Sequence, residues 1–286
     1  MKRTNKASKG NGIYNRDCLR KLQLIQLDIL KTIDSFCKEN NLTYYLAEGT
    51  LLGAIRHQGF IPWDDDTDIV MPREDYDRFV KLFGKQEINN CLLLNETTYE
   101  KYHIIFSKVI TTKNTGFINT IDNFPEKYQG PFVDVFPLDQ GIAVESEKRR
   151  IKIRKYRDML LLKVKYIKAN SKRRKVYKIL SYFYSFKKLH SKLRKLVTFY
   201  NGKAETGYWV NFASSYPPKQ ETFPKDAFGE PKMVKFEGYL FPVPRNSDLI
   251  LKTMYGNYMQ LPPVGKRMAK HSFKYVGGEE VLSEEE

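Results

Sequence analysis

The residues best suited to chemistry are four aspartates in the stretch IPWDDDTDIVM, at positions 64, 65, 66 and 68. Apolar residues flank them, among them Trp63, Ile69 and Val70. Carboxylates that are half buried together repel one another and need a cation to balance them. Oxygen ligands alone suit hard divalent cations, so the stretch predicts a site for Mg²⁺ or Mn²⁺.

Strand geometry selects two of these aspartates as the working pair. Residues 66–71 are predicted to form a strand, in which side chains alternate between the two faces. Asp66 and Asp68 would then point to the same side, about 7 Å apart along the strand. Asp64 and Asp65 would lie in the turn before the strand and support the pair.

A third carboxylate would complete such a site, and the sequence offers Asp134. This aspartate is an isolated acid inside the apolar strand pattern FVDVF. The alternative interpretation of the same sequence is a solvated aspartate on an edge strand. Because acids are rarely buried without a partner or a cation, we predict that Asp134 joins Asp66 and Asp68.

The turn EGT at 48–50 gives a second signal. A glycine-containing turn at a helix N-terminus presents free N–H groups to an anion. Gly49 allows the backbone to approach closely, and Thr50 can cap the helix or donate to a phosphate. A phosphate-holding turn, then a helix, then an Asp-x-Asp strand is the layout of a nucleotidyltransferase fold.

These elements predict an α+β fold, nucleotidyltransferase-like, with a mixed sheet and flanking helices plus a basic helical insertion. The apolar pattern predicts helices at 14–40, 50–57 and 73–83 and strands at 43–47, 66–71, 91–95, 103–110 and 131–136. The predicted organisation is a catalytic core at 14–144, a basic segment of two or three helices at 145–200, a C-terminal part packed on the core at 201–276, and flexible tails at 1–13 and 277–286.

The composition excludes several classes of protein. Of the 286 residues 41% are hydrophobic, which is enough for a buried core and argues against global disorder. The three cysteines match neither a disulfide framework nor a metal ribbon, which favours a reduced, cytoplasmic setting. No window of about twenty residues is apolar and free of charge. The basic N-terminus lacks the apolar region of a secretion signal.

The net charge of +16 is concentrated in one segment. Residues 148–195 contain twenty Lys and Arg and one acid, Asp158, so they carry +19. Mixed with Leu, Ile, Tyr and Phe, this pattern fits a solvated helical face, a nucleic-acid surface or a basic helix on an anionic membrane. No nucleic-acid motif accompanies the charge, which argues against the second of these interpretations and leaves the other two open.

The stretch LAEGTLLGAIRHQGFIPWDDDTDIVMPREDYDRF closely resembles the signature of the LicD family of phosphocholine transferases. The fukutin-type ribitol-phosphate transferases are distant relatives of that family. Supporting similarity lies at 106–115, 130–139, 223–238 and 254–263, so that the resemblance covers most of residues 20–275. It implies a nucleotidyltransferase-like fold. It also implies a divalent metal that helps to move a phospho-alcohol from a CDP-activated donor to a sugar hydroxyl.

The resemblance also assigns roles by position. Asp66 and Asp68 match the family's metal-binding Asp-x-Asp, which would place Mg²⁺ or Mn²⁺ at the donor diphosphate. Asp134 matches the acid of the family's DVFP strand, as either a third metal ligand or the base that takes the proton from the acceptor hydroxyl. One departure is Glu48, where the family often has Gly. Glu48 would add an acid to the site or have no role.

Other candidates for substrate binding lie in or near the same motifs. Arg56 and Lys108 are predicted phosphate clamps, with ordinary surface charge as the alternative. His57 is a candidate contact to the acceptor. Choline is a quaternary ammonium, which aromatic faces hold best. The aromatic candidates, for each of which a place in the core is the favoured alternative, are Tyr44, Tyr45, Trp63, Phe132 and Trp209.

The resemblance therefore predicts a CDP-choline-dependent phosphocholine transferase that modifies a cell-surface glycan precursor of teichoic acid or lipopolysaccharide type. The expected partners are CDP-choline or a similar CDP-alcohol, a sugar acceptor on a lipid carrier, and an anionic membrane at 148–195. The expected location is the inner face of a bacterial plasma membrane, with no nucleic acid. Alternatives are transfer of ribitol or glycerol phosphate, a nucleotide-sugar glycosyltransferase, a true nucleotidyltransferase and a non-enzymatic adaptor.

Overall fold

The computed structural model describes residues 16–119, 124–144, 147–203, 206–269 and 273–276. The predicted tails, 1–13 and 277–286, lie outside these residues. The helices are α1 (Arg16–Glu39), α2 (Glu48–His57), α3 (Arg73–Phe83), α4 (Glu147–Lys163), α5 (Lys172–Tyr182), α6 (Phe186–Val197) and α7 (Ser247–Tyr255). The strands are β1 (Tyr45–Leu46), β2 (Asp68–Pro72), β3 (Cys91–Leu94), β4 (Ser107–Thr111), β5 (Phe117–Asn119), β6 (Phe132–Gly141), β7 (Tyr208–Val210), β8 (Thr222–Pro224), β9 (Lys232–Phe236), β10 (Tyr239–Val243) and β11 (Phe273–Tyr275).

A mixed sheet of seven strands organises the described part of the chain. Five strands follow the order β1-β2-β6-β4-β3, and β7 joins β6 to β8. Strands β2 and β6 are parallel, whereas the other pairs in this sheet are antiparallel. The first residues of β6 pair with β2 and β4, and its last three pair with β7. This one long strand therefore carries both parts of a curled sheet.

Helices cover the sheet through apolar faces. The stripe of α1 contains Leu22, Ile29 and Ile33, each at most 1% exposed. Burying a side chain of this size contributes about 1.5–3 kcal/mol. Helix α3 adds the fully buried Phe79 and Phe83. The result is the predicted α+β architecture, with helices packed on a mixed sheet.

Element bounds differ from the prediction at functionally important places. Helix α3 has the predicted bounds. Strand β2 begins at Asp68 and not at residue 66, so Asp66 lies in the loop before the strand, and strand alternation does not set its direction relative to Asp68. The predicted strand at 103–110 is shorter in the structure, because residues 103–106 precede β4 without pairing in the sheet; these residues line a cleft described below. Strand β6 continues beyond residue 136 because β7, distant in sequence, pairs with its end. Helix α2 begins at Glu48, so the EGT turn is its first turn and does not precede it.

Residues 147–197 form three helices, which pack around a small apolar cluster of their own. Met159 and Leu160 of α4 contact this cluster from one side, and Leu189 and Leu193 of α6 contribute from the other. Ser171 and Ser185 are the N-cap residues of α5 and α6, and their hydroxyls accept hydrogen bonds from backbone N–H groups three residues later. Within the described residues, no helix combines the length and the apolar character needed to cross a bilayer.

Candidate active site

Helix α1 fixes the acidic loop that precedes β2. Gln23 donates through Nε2 to the carbonyl oxygen of Asp64 at 2.9 Å, and Gln26 donates to that of Asp65 at 2.9 Å. Both glutamines are buried, and an unpaired buried amide would cost free energy. Their hydrogen bonds therefore hold the irregular backbone that carries the acids. Sequence reasoning missed them, although two amides on the buried stripe of an amphipathic helix were an available signal.

Strands β2 and β6 place two predicted aspartates side by side. Asp68 lies in register with Asp134 across the parallel pair. Neighbouring strands are about 4.8 Å apart, so these side chains start from adjacent points of one sheet. The backbone N–H of Asp68 donates to Thr50 Oγ1 at 2.9 Å, which ties the first turn of α2 to the start of β2. Thr50 thus has a structural partner at the site.

Strand β4 adds a cation to this pair. Lys108 lies opposite Asp134 in the antiparallel register, and its Nζ is 2.8 Å from Asp134 Oδ1. The two side chains are 5% and 8% exposed, so water screens the ion pair little. The same ammonium lies 3.5 Å from the centroid of the Phe132 ring. Lys108 is therefore a buried group of the site and not an ordinary surface charge.

A cleft of about 520 Å³ opens over these residues. Its charged lining comprises Glu48, Asp66, Asp68, Lys108 and Asp134 near the sheet. Its aromatic lining comprises Phe106, Phe132, Phe136, Tyr166, Tyr216 and Phe273. A cleft of this volume accommodates a drug-sized ligand. The three predicted acids thus line one space, together with a cation and several rings.

The acids of the cleft raise one another's affinity for protons. Asp68 is 4% exposed, and burial raises its pKa well above the usual range, with further increases from the charges of Asp66, Glu48 and Asp134. Glu221, a buried acid outside the lining of the cleft, has a pKa raised by burial and by the charge of Glu48. The site therefore concentrates negative charge in a place where water does little to offset it.

The loop acids also form a compact group. Among the described residues, Asp64, Asp65 and Asp66 have carboxylate oxygens within 4.8 Å of one another. A Cβ atom placed on Gly49 would lie 2.5 Å from Asp64 Oδ2, so glycine lets this carboxylate approach the first turn of α2. The group that lies close to Gly49 in this structure is a side chain of the protein itself, and the predicted approach of a phosphate to Gly49 stays a prediction.

Glu48 stands where the resemblance found in the sequence implies a frequent glycine, and its backbone conformation is one that suits glycine. Its φ is 45°, in the left-handed region that glycine adopts without penalty. A glutamate in this conformation costs free energy, of the order of 1–3 kcal/mol. In return its carboxylate lines the acidic cleft. We therefore count Glu48 among the residues of the site.

Three predicted binding residues lie elsewhere, around the end of α2. Arg56 donates to the carbonyl oxygen of Tyr258, and burial lowers the pKa of His57. The rings of His57 and Trp63 contact edge to face with centroids 6.3 Å apart, and Arg267 stacks on Trp63. The structure does not bring Arg56, His57 or Trp63 to the lining of the acidic cleft. Gly49 and Thr50 also act beside the cleft without lining it.

The aromatic candidates divide in the same way. Phe132 lines the cleft. Tyr44 donates to Asp34 at 2.9 Å and Tyr45 to a backbone carbonyl, so both belong to the buried core. Trp209 packs beside the core with the ammonium of Lys225 over its ring. Most of the aromatic residues that line the cleft lie in no motif, so sequence patterns did not predict them as binding residues.

Sequence reasoning missed Arg157, which α4 brings to the rim of the cleft. Its Nη1 lies 3.4 Å from the carbonyl oxygens of Phe212 and Ser214, and burial lowers its pKa. Arg157 lines the cleft together with Tyr216 from the C-terminal part. One arginine among twenty basic residues is not distinguishable by sequence. The basic segment thus contributes to the site as well as to the surface.

The donor set fits a hard divalent cation. Asp66 and Asp68 would hold it, with Glu48 and Asp134 beside them, and all of these offer oxygen atoms. Asp66 also belongs to the group of described carboxylates that lie within 4.8 Å of one another, a group that does not include Asp68 or Asp134. Burial is the main cause of the raised pKa of Asp68, and the neighbouring carboxylates raise the pKa further; a bound cation would favour the ionised form against both effects. Lys108 already offsets part of this charge at Asp134.

In EDTA, the variant Asp68→Asn is expected to melt at a higher temperature than the wild type, increasingly so above about pH 4. Because the pKa of Asp68 is higher in the folded state than in the unfolded state, protonated Asp68 favours the folded state. This contribution to stability is fully present below the unfolded-state pKa. That stability is lost as the pH rises through the folded-state pKa. Asparagine does not ionise, so the variant escapes this loss. Thermal melts from about pH 4 to about pH 8 measure the difference.

Mg²⁺ or Mn²⁺ should reverse the order by raising the melting temperature of the wild type alone, because a ligand of the folded state stabilises it. Parallel pH profiles for the two proteins, together with no response of the wild type to either ion, would contradict this account of Asp68.

The replacement Glu48→Gly is expected to stabilise the metal-free protein by about 1 kcal/mol, because it relieves the left-handed backbone and removes one repelling charge. Urea denaturation in EDTA measures the change. The control is Asn90→Gly. Asn90 is exposed, also has a positive φ, 59°, and is distant along the sequence from the acids of the cleft. A loss of stability in Glu48→Gly would show that Glu48 makes a net favourable contribution.

Comparison with known proteins places this site in a family. The model described as LicD/FKTN/FKRP, nucleotidyltransferase domain, matches residues 41–168, which include all four acids that line the cleft. The lipopolysaccharide cholinephosphotransferase LicD of Haemophilus influenzae is 31% identical over 271 residues, 88% of this chain and 96% of the relative. A protein of Rickettsia prowazekii is 32% identical over 126 residues, 41% of this chain and 45% of its own length. The chain belongs to the LicD family, which confirms the resemblance found in the sequence.

Proposed function

We propose that the protein transfers phosphocholine from CDP-choline to a sugar hydroxyl of a cell-surface glycan precursor. The observation that carries the proposal is the in-register pair Asp68 and Asp134 in an acidic cleft with aromatic sides. The relative from Haemophilus influenzae, named a lipopolysaccharide cholinephosphotransferase, supports the same reaction. The acceptor in this proposal is a lipid-linked precursor of lipopolysaccharide or teichoic-acid type.

The sheet suggests a nucleotidyltransferase-like arrangement, which we include in the proposal. Helix α2 leads into β2, and β2 pairs with β6, so one short helix and two strands surround the acids. The description of the matching family model supports this arrangement. Asp66 and Asp68 then follow a helix whose first turn lies beside them through Thr50.

The chemistry follows from the positions of the side chains. The acceptor hydroxyl attacks the phosphorus of phosphocholine, the bond from that phosphorus to the bridging oxygen breaks, and CMP leaves with the electron pair. The hydroxyl proton passes to a carboxylate oxygen of Asp134, which is the base in this proposal. Lys108, 2.8 Å from Asp134, holds that carboxylate and places positive charge beside the transferred phosphate. A divalent cation bound by Asp66 and Asp68 would neutralise the charge on the leaving CMP.

The rings of the cleft suit the choline group. A quaternary ammonium binds to aromatic faces within about 6 Å. The ammonium of Lys108 is already over one face of Phe132. Phe106, Phe136 and Tyr216 supply the other rings nearby, so we propose that they hold choline while Asp134 and Lys108 face the phosphate.

The test is a product assay with CDP-choline, Mg²⁺ and a lipid-linked or free amino-sugar acceptor. Release of CMP that requires the acceptor and stops in EDTA supports the proposal. Preference for CDP-ribitol or CDP-glycerol would replace choline by another alcohol. Turnover of a UDP-sugar would indicate a glycosyltransferase, and attachment of CMP itself would indicate a nucleotidyltransferase.

Helix α5 supports attachment to the inner face of a bacterial plasma membrane, which we propose as the site of action. It exposes Val176, Ile179 and Tyr182, followed by Phe183, with exposed fractions of 52% to 77%. Exposed basic side chains on the same helix are Lys172, Arg173, Lys175 and Lys178. Apolar and basic side chains that share an exposed face bind an anionic lipid surface.

Neutralising these four basic side chains of α5 with glutamine should weaken binding to phosphatidylglycerol vesicles at least about tenfold at low salt, since each contributes about 1 kcal/mol near the surface. Sedimentation with vesicles measures the affinity. Arg174 is kept, because its Nε lies 3.7 Å from Asp158. The control Lys232→Gln with Lys235→Gln removes exposed charge from β9 and should bind normally. Undiminished binding by the α5 variant would disprove this surface.

A further inference from the structure

A second cavity adjoins the acidic cleft. It has a volume of about 670 Å³ and lies between helix α4 and residues 210–222. The residues that line both cavities are Arg157, Leu161, Ser214, Ser215 and Tyr216. The two cavities therefore share one side, at the rim where Arg157 is bound to backbone carbonyls.

The charge of the second cavity is opposite to that of the first. Arg150, Arg154 and Arg157 line it from α4. Their spacing of four and three residues places them on one helical face, over about 10 Å. Lys219 lines it from residues 210–222. Asp158 is the one acid among the described residues of its lining, and the guanidinium of Arg174 lies 3.7 Å away.

Guanidinium groups arranged in this way recognise phosphate. In the proposed reaction both phosphates of CDP-choline lie at the acidic cleft, where the phosphorus–oxygen bond breaks. The cytidine and choline parts carry no negative charge, so the donor has no anion left for the second cavity. The other reactant is the acceptor.

We propose that the second cavity binds a phosphate group carried by the acceptor, while the acceptor hydroxyl reaches Asp134 past Arg157. This inference rests on the proposed function and adds the class of acceptor, a phosphorylated glycan precursor. The phosphate is either a monoester on a sugar of the glycan or the diphosphate that joins the glycan to its lipid carrier. Both present the same oxygen atoms to Arg154 and Lys219.

Calorimetric titration of the whole protein in EDTA tests the inference without turnover. Glucose 6-phosphate represents the sugar monoester, geranyl diphosphate the lipid diphosphate, and glucose the uncharged reference. We expect a phosphorylated probe to bind and glucose not to bind. The double variant Arg154→Gln, Lys219→Gln should weaken that binding at least about tenfold, since charge-assisted contacts are lost. Both replaced side chains are exposed, so the fold should persist. The tighter probe identifies the source of the phosphate.

The matched control is Lys148→Gln with Lys152→Gln, which removes the same charge from exposed positions of α4 outside the cavity and should bind like the wild type. The variant Asp68→Asn should also bind like the wild type, because Asp68 lies in the other cavity. Binding of phosphate in the second cavity can therefore be confirmed even if the protein does not transfer phosphocholine. The inference is overturned if neither phosphorylated probe binds the wild type, or if the Arg154 and Lys219 double variant binds equally well.

Discussion

The replacement Asp68→Asn is expected to lower the turnover of CDP-choline by roughly 10³-fold or more, which corresponds to about 4 kcal/mol of transition-state stabilisation. Asparagine keeps the size of the side chain and removes the negative charge. Asp68 is the acid at the centre of the cleft, in register with Asp134 and subject to the charges of Asp66 and Glu48. Acceptor-dependent CMP release measures the loss, and the KM for CDP-choline should change less than kcat.

The matched control is Asp28→Asn, an exposed aspartate of α1 outside the cleft. It should retain full turnover. Asp66→Asn should behave like Asp68→Asn, because both are assigned to the cation. If Asp68→Asn retained the turnover of the Asp28 control in the same assay, the acidic cleft would not be the reaction centre.

The largest effect on stability is expected at the ion pair between Arg73 and Asp139. Arg73 donates from Nε and Nη2 to the two carboxylate oxygens of Asp139 at 2.8 and 2.7 Å. The side chains are 11% and 1% exposed. Asp139 and a hydrogen bond to it raise the pKa of Arg73 in spite of burial, which alone would lower it. Replacing Asp139 by Asn leaves the buried guanidinium with the more exposed Asp77, 3.7 Å away, as its remaining counter-charge, and should cost about 3–5 kcal/mol.

Urea denaturation of Asp139→Asn measures this cost. The double variant Arg73→Met, Asp139→Leu should recover much of the stability, because apolar groups of similar volume carry no charge to bury. Replacing the exposed pair Asp248 and Lys252 in the same way should have little effect. Equal stability of Asp139→Asn and the wild type would show that this pair does not join α3 to the end of β6.

The sequence was sufficient to predict the parts of the site that depend on local patterns. An isolated acid in an apolar run predicts Asp134, the Asp-x-Asp spacing predicts Asp66 and Asp68, and all three line one cleft. The predicted reason for the pair was wrong in part, because β2 begins at Asp68 and Asp66 lies in the loop before it. Helix α3 has its predicted bounds because four apolar residues repeat on one face. Whether these acids hold a metal stays a prediction.

Long-range pairing determined what sequence patterns did not predict. The contact between Lys108 and Asp134 depends on the register of β4 against β6. Arg157 and Tyr216 meet at the cleft through the packing of α4 against residues 210–222, which no periodicity encodes. Gly49 and Thr50 were assigned to a phosphate because their motif fits one, whereas local contacts connect them to Asp64 and to the backbone of Asp68.

The two buried glutamines of α1 show that residues before the matched region contribute to the acidic loop. The matching family model begins at residue 41, after α1 has ended. Yet Gln23 and Gln26 hold the loop backbone at Asp64 and Asp65. The part of the chain that is needed to hold the acidic loop therefore includes α1 and is longer than the region matched by the family model. A fragment of this chain that began at residue 41 would lack both glutamines, and with them the two amide hydrogen bonds to the loop.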